Sequence, residues 1–273
     1  MSTDPTAANA AFWNEPCGSR AAKVLDVTDA GIESLKRFDD WYFSFYPYLA
    51  SYIPFAELRG KDVLEVGLGY GTVSQRLAET GCNYSGLDIA SGPVTLVNQR
   101  LLQNHLRGHA AQGSILEPPF KEGSFDFIVA IGCLHHTGDL AQALARCFDL
   151  LRNGGTLIFM VYSAYSYRRW KMAFAATLRY WLDERRGYRG VIASRRASER
   201  AAYDTDSNGT EAPHTDFISR RSLASLCATF TEFDANYENI DNGFPFWFTR
   251  RSILLRTAIP KLIGLDLYAR AVR

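Results

Sequence analysis

The stretch Leu64-Glu65-Val66-Gly67-Leu68-Gly69-Tyr70-Gly71 decides the fold. It closes an apolar run over residues 62–67, which predicts a short buried strand, and residues 72–80 have the pattern of a helix. Three glycines between a strand and a helix let the backbone approach a ligand closely and aim N–H groups at it. We therefore expect a ligand-binding turn here.

Strand and helix signals alternate after this turn. A helix is expected from Ser91, with Pro93 in its first turn, and a second helix is expected after a cap at Asp139. Continuous apolar strands that alternate with helices predict a parallel sheet covered on both faces. The other predicted elements are strands at 83–88, 108–113, 125–132 and 156–162, a glycine stop at 153–155, a capped helix at 219–230, and strands near 232–238 and 264–271.

Length and composition are those of one α/β domain with additions. The chain has 273 residues, of which 47% are hydrophobic and 22% charged. No run approaches the roughly 18 to 20 apolar residues of a membrane span, and the start lacks a basic and apolar leader, so we expect a cytoplasmic protein. The five cysteines, Cys17, Cys82, Cys133, Cys147 and Cys227, form no C-x-x-C pair, which argues against a disulfide framework and a zinc site.

The spacing of the glycines narrows the choice of ligand. A dinucleotide fingerprint is G-x-G-x-x-G, whereas Thr72 stands here where the third glycine would be. Asp88, which follows Gly67 by 21 residues, ends the second predicted strand and can accept hydrogen bonds from ribose hydroxyls. These features fit an NAD site or an S-adenosylmethionine site. Glu65, two residues before the first glycine, favours the second.

The motif E-x-G-x-G-x-G resembles the first motif of the class I S-adenosylmethionine-dependent methyltransferases. Residues 113–162, with Leu-His-His at 134–136, resemble the bacterial small-molecule group related to the quinone-biosynthesis C-methyltransferases. Residues 12–19 and 46–49 resemble the amino-terminal arm of one subgroup. The resemblance implies an α/β fold with a doubly wound, mostly parallel seven-stranded Rossmann-like sheet, a helical N-terminal arm and an inserted helical lid.

The resemblance also implies roles for cofactor-binding residues. The methionine moiety would lie against the glycine turn, which Glu65 would steady, and Asp88 would hold the ribose. The family group usually has Asp where Ser114 stands, so a charge-assisted bond to the adenine amino group is lost here. The implied contacts are Gly67, Gly69 and Gly71 for methionine, Ile89 for the adenine face, Ser114 and Ile115 for the adenine edge, and the carbonyls of Gly132 and Cys133 for the methionine amino group.

Fewer sequence features indicate which residues would contact the methyl acceptor. His135 and His136 follow the predicted fourth strand, where a neutral imidazole can take a proton from the acceptor. Because this dipeptide recurs in the group with different acceptors, a structural role is favoured over catalysis, and His136 is preferred as the base if either acts. The expected pocket walls, with core packing as the alternative, are Trp13, Tyr42, Tyr162, Tyr165 and Tyr167.

The net charge of +1 hides a basic segment, residues 163–200, which holds ten Lys and Arg against three Asp and Glu. Three interpretations stay open for it: a solvated helical lid, a surface for an anionic acceptor, and RNA or membrane binding. The apolar tail at 244–265, which includes Phe244, fits a buried lid, a dimer contact or a membrane interface.

We expect four regions along the chain. They are an arm or cap at 1–58, an S-adenosylmethionine-binding core at 59–162, a basic helical insertion or lid at 163–216, and a C-terminal helix with the last strands at 217–273.

The expected function is transfer of a methyl group to O, N or C of a small-molecule acceptor that is a secondary metabolite, lipid-like or anionic. The alternatives are a non-catalytic S-adenosylmethionine-binding regulatory protein, an RNA methyltransferase and an NAD-dependent oxidoreductase. Nucleic acid is disfavoured as a partner by the near-neutral charge. Peripheral membrane contact, and the choice between monomer and homodimer, stay open.

Overall fold

The structure is a computed structural model, and it describes residues 5–16, 18–243 and 245–273. Cys17, Phe244 and residues 1–4, which the sequence predictions touch, lie outside the described residues. The strands are β1 Asp62–Val66, β2 Asn83–Asp88, β3 His109–Gln112, β4 Phe125–Ile131, β5 Leu151–Tyr162, β6 Ile192–Ala193, β7 Asp216–Phe217, β8 Glu232–Glu238 and β9 Asp266–Val272.

Helices precede, separate and follow these strands. Short 3₁₀ turns lie at Phe55–Glu57 and Leu134–His136. The α-helices are α1 Pro5–Trp13, α2 Ser19–Val24, α3 Ile32–Phe45, α4 Leu49–Tyr52, α5 Thr72–Ala78, α6 Ser91–Gln103, α7 Leu140–Leu150, α8 Tyr167–Met172, α9 Phe174–Arg185, α10 Ala197–Ala201, α11 Arg220–Leu226, α12 Arg251–Leu254 and α13 Ile259–Ile263.

Within the described residues one sheet has seven strands in the order β3-β2-β1-β4-β5-β9-β8. The pairings from β3 to β5 are parallel, and β9 is antiparallel to both β5 and β8. The chain winds outward from β1 to β3 and then returns to β4 on the other side of β1. In such sheets ligands bind at the carboxyl ends of the strands beside this reversal.

Both faces of the sheet are covered, as the apolar strands predict. In β4, Ile128 and Ala130 belong to the core on one face, while Val129 belongs to the core on the other. Helix α7 packs on the first face, and α5 and α6 pack on the second. The prediction of a doubly wound, mostly parallel seven-stranded sheet is therefore confirmed.

The start of β5 was predicted incorrectly. The cap at Asp139 is present, since its carboxylate accepts a hydrogen bond from the backbone N–H of Gln142. However, β5 begins at Leu151 rather than at 156, so the Asn-Gly-Gly segment lies inside the strand. Gly154, with φ of 77°, donates to the carbonyl of Arg273, and the pairing with β4 skips residues there. The glycines form an irregularity in a strand instead of a loop before it.

The inserted segment folds into the helices α8, α9 and α10, together with an unpredicted two-stranded pairing of β6 and β7. Some of its basic side chains form ion pairs with acidic residues of the same segment. Arg169 is 2% exposed and pairs with Glu199 at 2.7 Å, and Arg200 pairs with Glu211 at 3.2 Å. In the part of the chain that the structure describes, we find no helix with the length and apolar character that a membrane crossing needs.

Two leucines on helices provide a test of the core. Leu144 on α7 is 1% exposed and packs on the sheet, whereas Leu102 on α6 is 77% exposed. We expect Leu144→Ala to lower the free energy of unfolding by about 2–5 kcal/mol, because it leaves a cavity. Leu102→Ala, the same change on an exposed face, should alter it by no more than about 0.5 kcal/mol. Urea denaturation monitored by circular dichroism measures both, and equal losses would contradict this packing.

Candidate functional site

A cavity of about 700 Å³ lies at the carboxyl edge of the sheet. Its floor comes from the ends of β1, β2, β4 and β5, and its roof comes from the N-terminal arm and residues 201–206. The volume falls in the range of small-molecule sites, which is roughly 300–1,000 Å³. The cavity therefore lies where the sheet topology predicts a ligand.

The glycine turn forms one wall of this cavity. Gly67, Gly69 and Gly71 have φ values of 77°, 49° and 75°, which side chains disfavour. A Cβ on Gly67 would lie 2.4 Å from Cβ of Cys133, so β1 and β4 approach each other closely at this point. Gly67 and Gly69 line the cavity. Gly71 does not, because it faces α6, where a Cβ would meet Arg100 at 2.9 Å.

Asp88 joins the glycine turn to the end of β2. Its Oδ2 accepts a hydrogen bond from the N–H of Leu68 at 2.8 Å, and its Oδ1 accepts one from Ala90 at 2.9 Å. Burial raises the pKa of this carboxyl, and the two backbone N–H groups oppose the rise. Each oxygen keeps a further lone pair, and the residue lines the cavity, so Asp88 can accept hydrogen bonds from a ligand.

Glu65 lies behind the turn, on β1. Its side chain is 3% exposed, and its Oε2 accepts a hydrogen bond from the hydroxyl of Tyr84 at 2.6 Å. Burial raises the pKa of Glu65 from 4.5 to about 7. The residue lines the cavity and is anchored to β2 through Tyr84, which suits a role in steadying the turn.

Five further predicted cofactor residues also line the cavity. The Oγ of Ser114 accepts a hydrogen bond from the N–H of Leu116 at 3.2 Å, and the thiol of Cys133 donates to the carbonyl of Val66 at 3.0 Å. The five are Ile89, Ser114, Ile115, Gly132 and Cys133. The glycine spacing, the second-strand acid and the post-strand residues thus converge on one space, and this convergence fits S-adenosylmethionine.

The structure separates the two histidines. His135 is fully buried and does not line the cavity, and burial lowers its pKa well below the usual value, which keeps it neutral. His136 lines the cavity, and its Nδ1 lies 2.7 Å from the carbonyl oxygen of His214. Because a carbonyl only accepts, Nδ1 carries the proton in this contact, so in the neutral form of the ring Nε2 is the nitrogen that can accept a proton.

Asp204 is a cavity residue that the sequence did not indicate. Its Oδ2 accepts a hydrogen bond from the hydroxyl of Tyr162 at 2.8 Å and lies 3.4 Å from Nε2 of His136. Asp204 belongs to the polar stretch 201–216, which carries no motif. Its place beside His136 depends on the fold of the insertion, so no local signal could have identified it.

The predicted aromatic walls divide into two groups. Trp13, Tyr42 and Tyr162 line the cavity, and the ring of Trp13 lies 4.8 Å from that of His136. Tyr165 and Tyr167 lie outside the lining, because the chain turns away from the cavity after β5. Their hydroxyls instead donate to Glu184 and Asp241, respectively.

The arm is bound directly to the glycine turn. Arg100 of α6 is 1% exposed, donates to the carbonyl of Tyr70 at 2.8 Å and pairs with Asp39 of α3. The hydroxyl of Thr72 also donates to Asp39, at 2.6 Å, and the ring of Phe38 stacks on that of Tyr70 at 4.3 Å. The arm, which forms the roof of the cavity, is therefore joined to the glycine turn by both polar and aromatic contacts.

Comparison with known proteins assigns the domain. Residues 64–159 match the family model described as a methyltransferase domain. The ubiquinone biosynthesis O-methyltransferases of Nitrosococcus oceani and Pseudomonas aeruginosa are 32% and 31% identical over 105 and 104 residues, which are 38% and 37% of this chain and 44% of each relative. The chain thus spans less than half the length of these curated relatives.

Solved structures agree on the fold. S-adenosylmethionine-dependent methyltransferases from Methanosarcina mazei and Mesorhizobium loti superpose with TM-scores of 0.53 at 17% and 16% identity, covering 84% of this chain and 97% of each neighbour. The family model identifies residues 64–159 as a methyltransferase domain, and the solved structures share its fold. Both agree with the predicted class I methyltransferase that uses S-adenosylmethionine.

Removal of Asp39 should loosen the arm. We expect Asp39→Ala to lower the free energy of unfolding by about 3–5 kcal/mol, because it leaves Arg100 buried without its ionic partner. Asp40→Ala is the matched control, since Asp40 is exposed and, among the described residues, forms its ion pair with Lys36 one helical turn away. It should cost less than about 1 kcal/mol. Urea titrations decide between the two, and similar losses would contradict the arrangement.

The raised pKa of Glu65 predicts a pH dependence of stability. Between pH 4.5 and about 7 the folded protein holds a proton on Glu65 that the unfolded chain has lost, so the free energy of unfolding falls as pH rises. We expect Glu65→Gln to reduce this fall over that window, measured by urea denaturation at several pH values. Glu79→Gln, a change on the surface, should follow the wild-type profile, and a Glu65→Gln profile parallel to wild type would contradict the prediction.

Proposed function

We propose that this chain, which carries a class I S-adenosylmethionine-dependent methyltransferase domain, transfers a methyl group to a hydroxyl oxygen of a small-molecule acceptor. One observation carries the proposal. A single cavity brings the glycine turn and Asp88 together with a proton-accepting nitrogen, Nε2 of His136. The name of the curated relatives, O-methyltransferases, supports oxygen as the acceptor atom over nitrogen or carbon.

On the cofactor side, Asp88 would accept hydrogen bonds from the ribose through its remaining lone pairs. Glu65, held by Tyr84, would keep the turn in place, and the turn would bind the methionine moiety. The other proposed contacts are Gly67 and Gly69 for methionine, Ile89 for the adenine face, Ser114 and Ile115 for the adenine edge, and Gly132 and Cys133 for the methionine amino group.

S-adenosylmethionine held there would supply an activated methyl group with a neutral thioether as its leaving group, and the acceptor hydroxyl would give up its proton. The protein must therefore orient the acceptor and receive one proton. Nε2 of His136 would receive that proton, and Asp204, 3.4 Å away, would stabilise the resulting imidazolium. His135, buried and neutral, would support the ring of Tyr162 at 4.1 Å.

The regions of the chain would divide this work. Residues 59–162 would bind the cofactor, while the arm at 1–58 and the insertion at 163–216 would enclose the acceptor. From the insertion, residues 201–206 reach the cavity lining. The region 217–273 would complete the sheet through β8 and β9.

The function is tested with methyl-labelled S-adenosylmethionine and a metabolite extract. We expect a labelled small-molecule product from the wild-type protein and a rate at least about 100-fold lower from His136→Gln. Calorimetric titration with S-adenosylhomocysteine should show binding that is about tenfold weaker in Asp88→Asn, and unchanged binding in Asp126→Asn, which alters an acid of β4 outside the cavity.

The outcomes separate the alternatives. Binding of S-adenosylhomocysteine without any labelled product would support a non-catalytic binding protein. Label in RNA instead of a small molecule would support an RNA methyltransferase. Full affinity in Asp88→Asn would contradict the proposed cofactor site.

A further inference from the structure

Part of the cavity wall, which we call the aromatic chamber, is formed by aromatic rings. They come from α1, α3, the end of β5 and the insertion, and they are Phe12, Trp13, Trp41, Tyr42, Tyr162 and Tyr203. Flat rings at such a site favour a flat, largely apolar ligand.

Among the described residues, two that line the cavity have a buried polar atom without a hydrogen-bond partner: Asn9, at its Oδ1, and a second residue whose atom is a proton-accepting nitrogen. That nitrogen is Nε2 of His136, whose side chain is 5% exposed and lies under the ring of Trp13. Asp204 is near, at 3.4 Å, but makes no hydrogen bond to it. A buried acceptor atom without a donor calls for a donor from the ligand, and a hydroxyl group provides one.

Acidic side chains outnumber basic ones in the cavity lining. Among the described residues, the lining holds the carboxyl groups of Glu15, Glu65, Asp88, Asp204 and Asp206 against one guanidinium, that of Arg20. Glu65 and Asp88 belong to the cofactor side. The Glu15 carboxylate accepts hydrogen bonds from Ser207, and that of Asp206 accepts them from the backbone of Asn208 and Thr210. Asp204 is the carboxylate that lies beside His136. A carboxylate or phosphate on an acceptor bound at His136 would be repelled by Asp204 in a space of reduced dielectric.

The basic segment approaches the cavity at Arg168, whose guanidinium lies 4.6 Å from the ring centroid of Tyr203. No residue of 163–200 appears in the lining that the described part of the chain forms. Arg168 pairs with Asp241, and Arg169 pairs with Glu199. An anionic acceptor, which the charge of this segment suggested, therefore gains no support from the geometry.

We propose that the chamber takes an uncharged aromatic ring that bears a hydroxyl group, and that Asp204 selects against acceptors carrying a carboxylate or phosphate. The inference rests on the proposed function, since it assigns the acceptor class of the same site. The hydroxyl donates to Nε2 of His136, and the proton that leaves during transfer is held there beside Asp204.

A pair of fluorescent probes tests this selection: 2-naphthol, which is uncharged at neutral pH, and 6-hydroxy-2-naphthoate, which adds one carboxylate to the same ring system. Both are titrated by fluorescence anisotropy into protein saturated with S-adenosylhomocysteine. We expect 2-naphthol to bind at least about tenfold more tightly than the naphthoate. In Asp204→Asn the ratio should fall below about threefold.

Glu211→Gln is the matched control, because Glu211 lies in the same segment, carries the same charge and does not line the cavity. It should keep the wild-type ratio. Equal or tighter binding of the naphthoate to wild-type protein would overturn the proposal, as would binding of neither probe. Calorimetry with S-adenosylhomocysteine on the same samples shows separately whether the cofactor site itself has failed.

Discussion

The two hydrogen bonds that the Asp88 carboxylate accepts from Leu68 and Ala90 connect the parts on which the site depends. Leu68 belongs to the glycine turn after β1, and Ala90 precedes the first turn of α6. One side chain at the end of β2 therefore fixes the distance between two strand ends and a helix start. The same carboxylate has lone pairs left for a ligand. The residue that shapes the cavity can therefore also form hydrogen bonds with a bound ligand.

The N-terminal arm is attached to the cavity by specific hydrogen bonds. The Oδ1 of Asn14 accepts a hydrogen bond from the N–H of Gly92 at 2.9 Å, and a Cβ on Gly92 would lie 2.1 Å from the carbonyl oxygen of Asn14. The side chain of Asn9 donates to the carbonyl of His136 at 2.8 Å. Gly92 lies in the first turn of α6, and His136 lies in the turn after β4. Displacement of the arm would therefore disturb both of these cavity-forming segments.

The sequence predicted the features that local chemistry controls. Positive φ at Gly67 and Gly69 favours glycine, and the start of α7 favours a capping carboxylate, which Asp139 supplies. Buried strands need apolar runs. Each of these features is therefore visible as a pattern in the sequence. The start of β5 was misplaced because a glycine pair is equally suited to a helix end and to an irregular strand. The positions of Asp204, Tyr165 and Tyr167 relative to the cavity depend on how distant segments pack. The periodicity of the sequence does not predict that packing.

The contrast between Arg169 and Asp204 shows why charge along a sequence differs from charge at a site. Arg169 belongs to the most basic stretch of the chain, yet it is buried against Glu199 and the ring of Phe217. Asp204 lies in a stretch read only as polar, yet it faces the cavity beside His136. A buried ion pair cancels its own field, while a carboxylate that lines a cavity of low dielectric acts on whatever binds there. Recognition by this protein is therefore expected to follow the acidic cavity lining and not the basic segment that dominates the charge pattern.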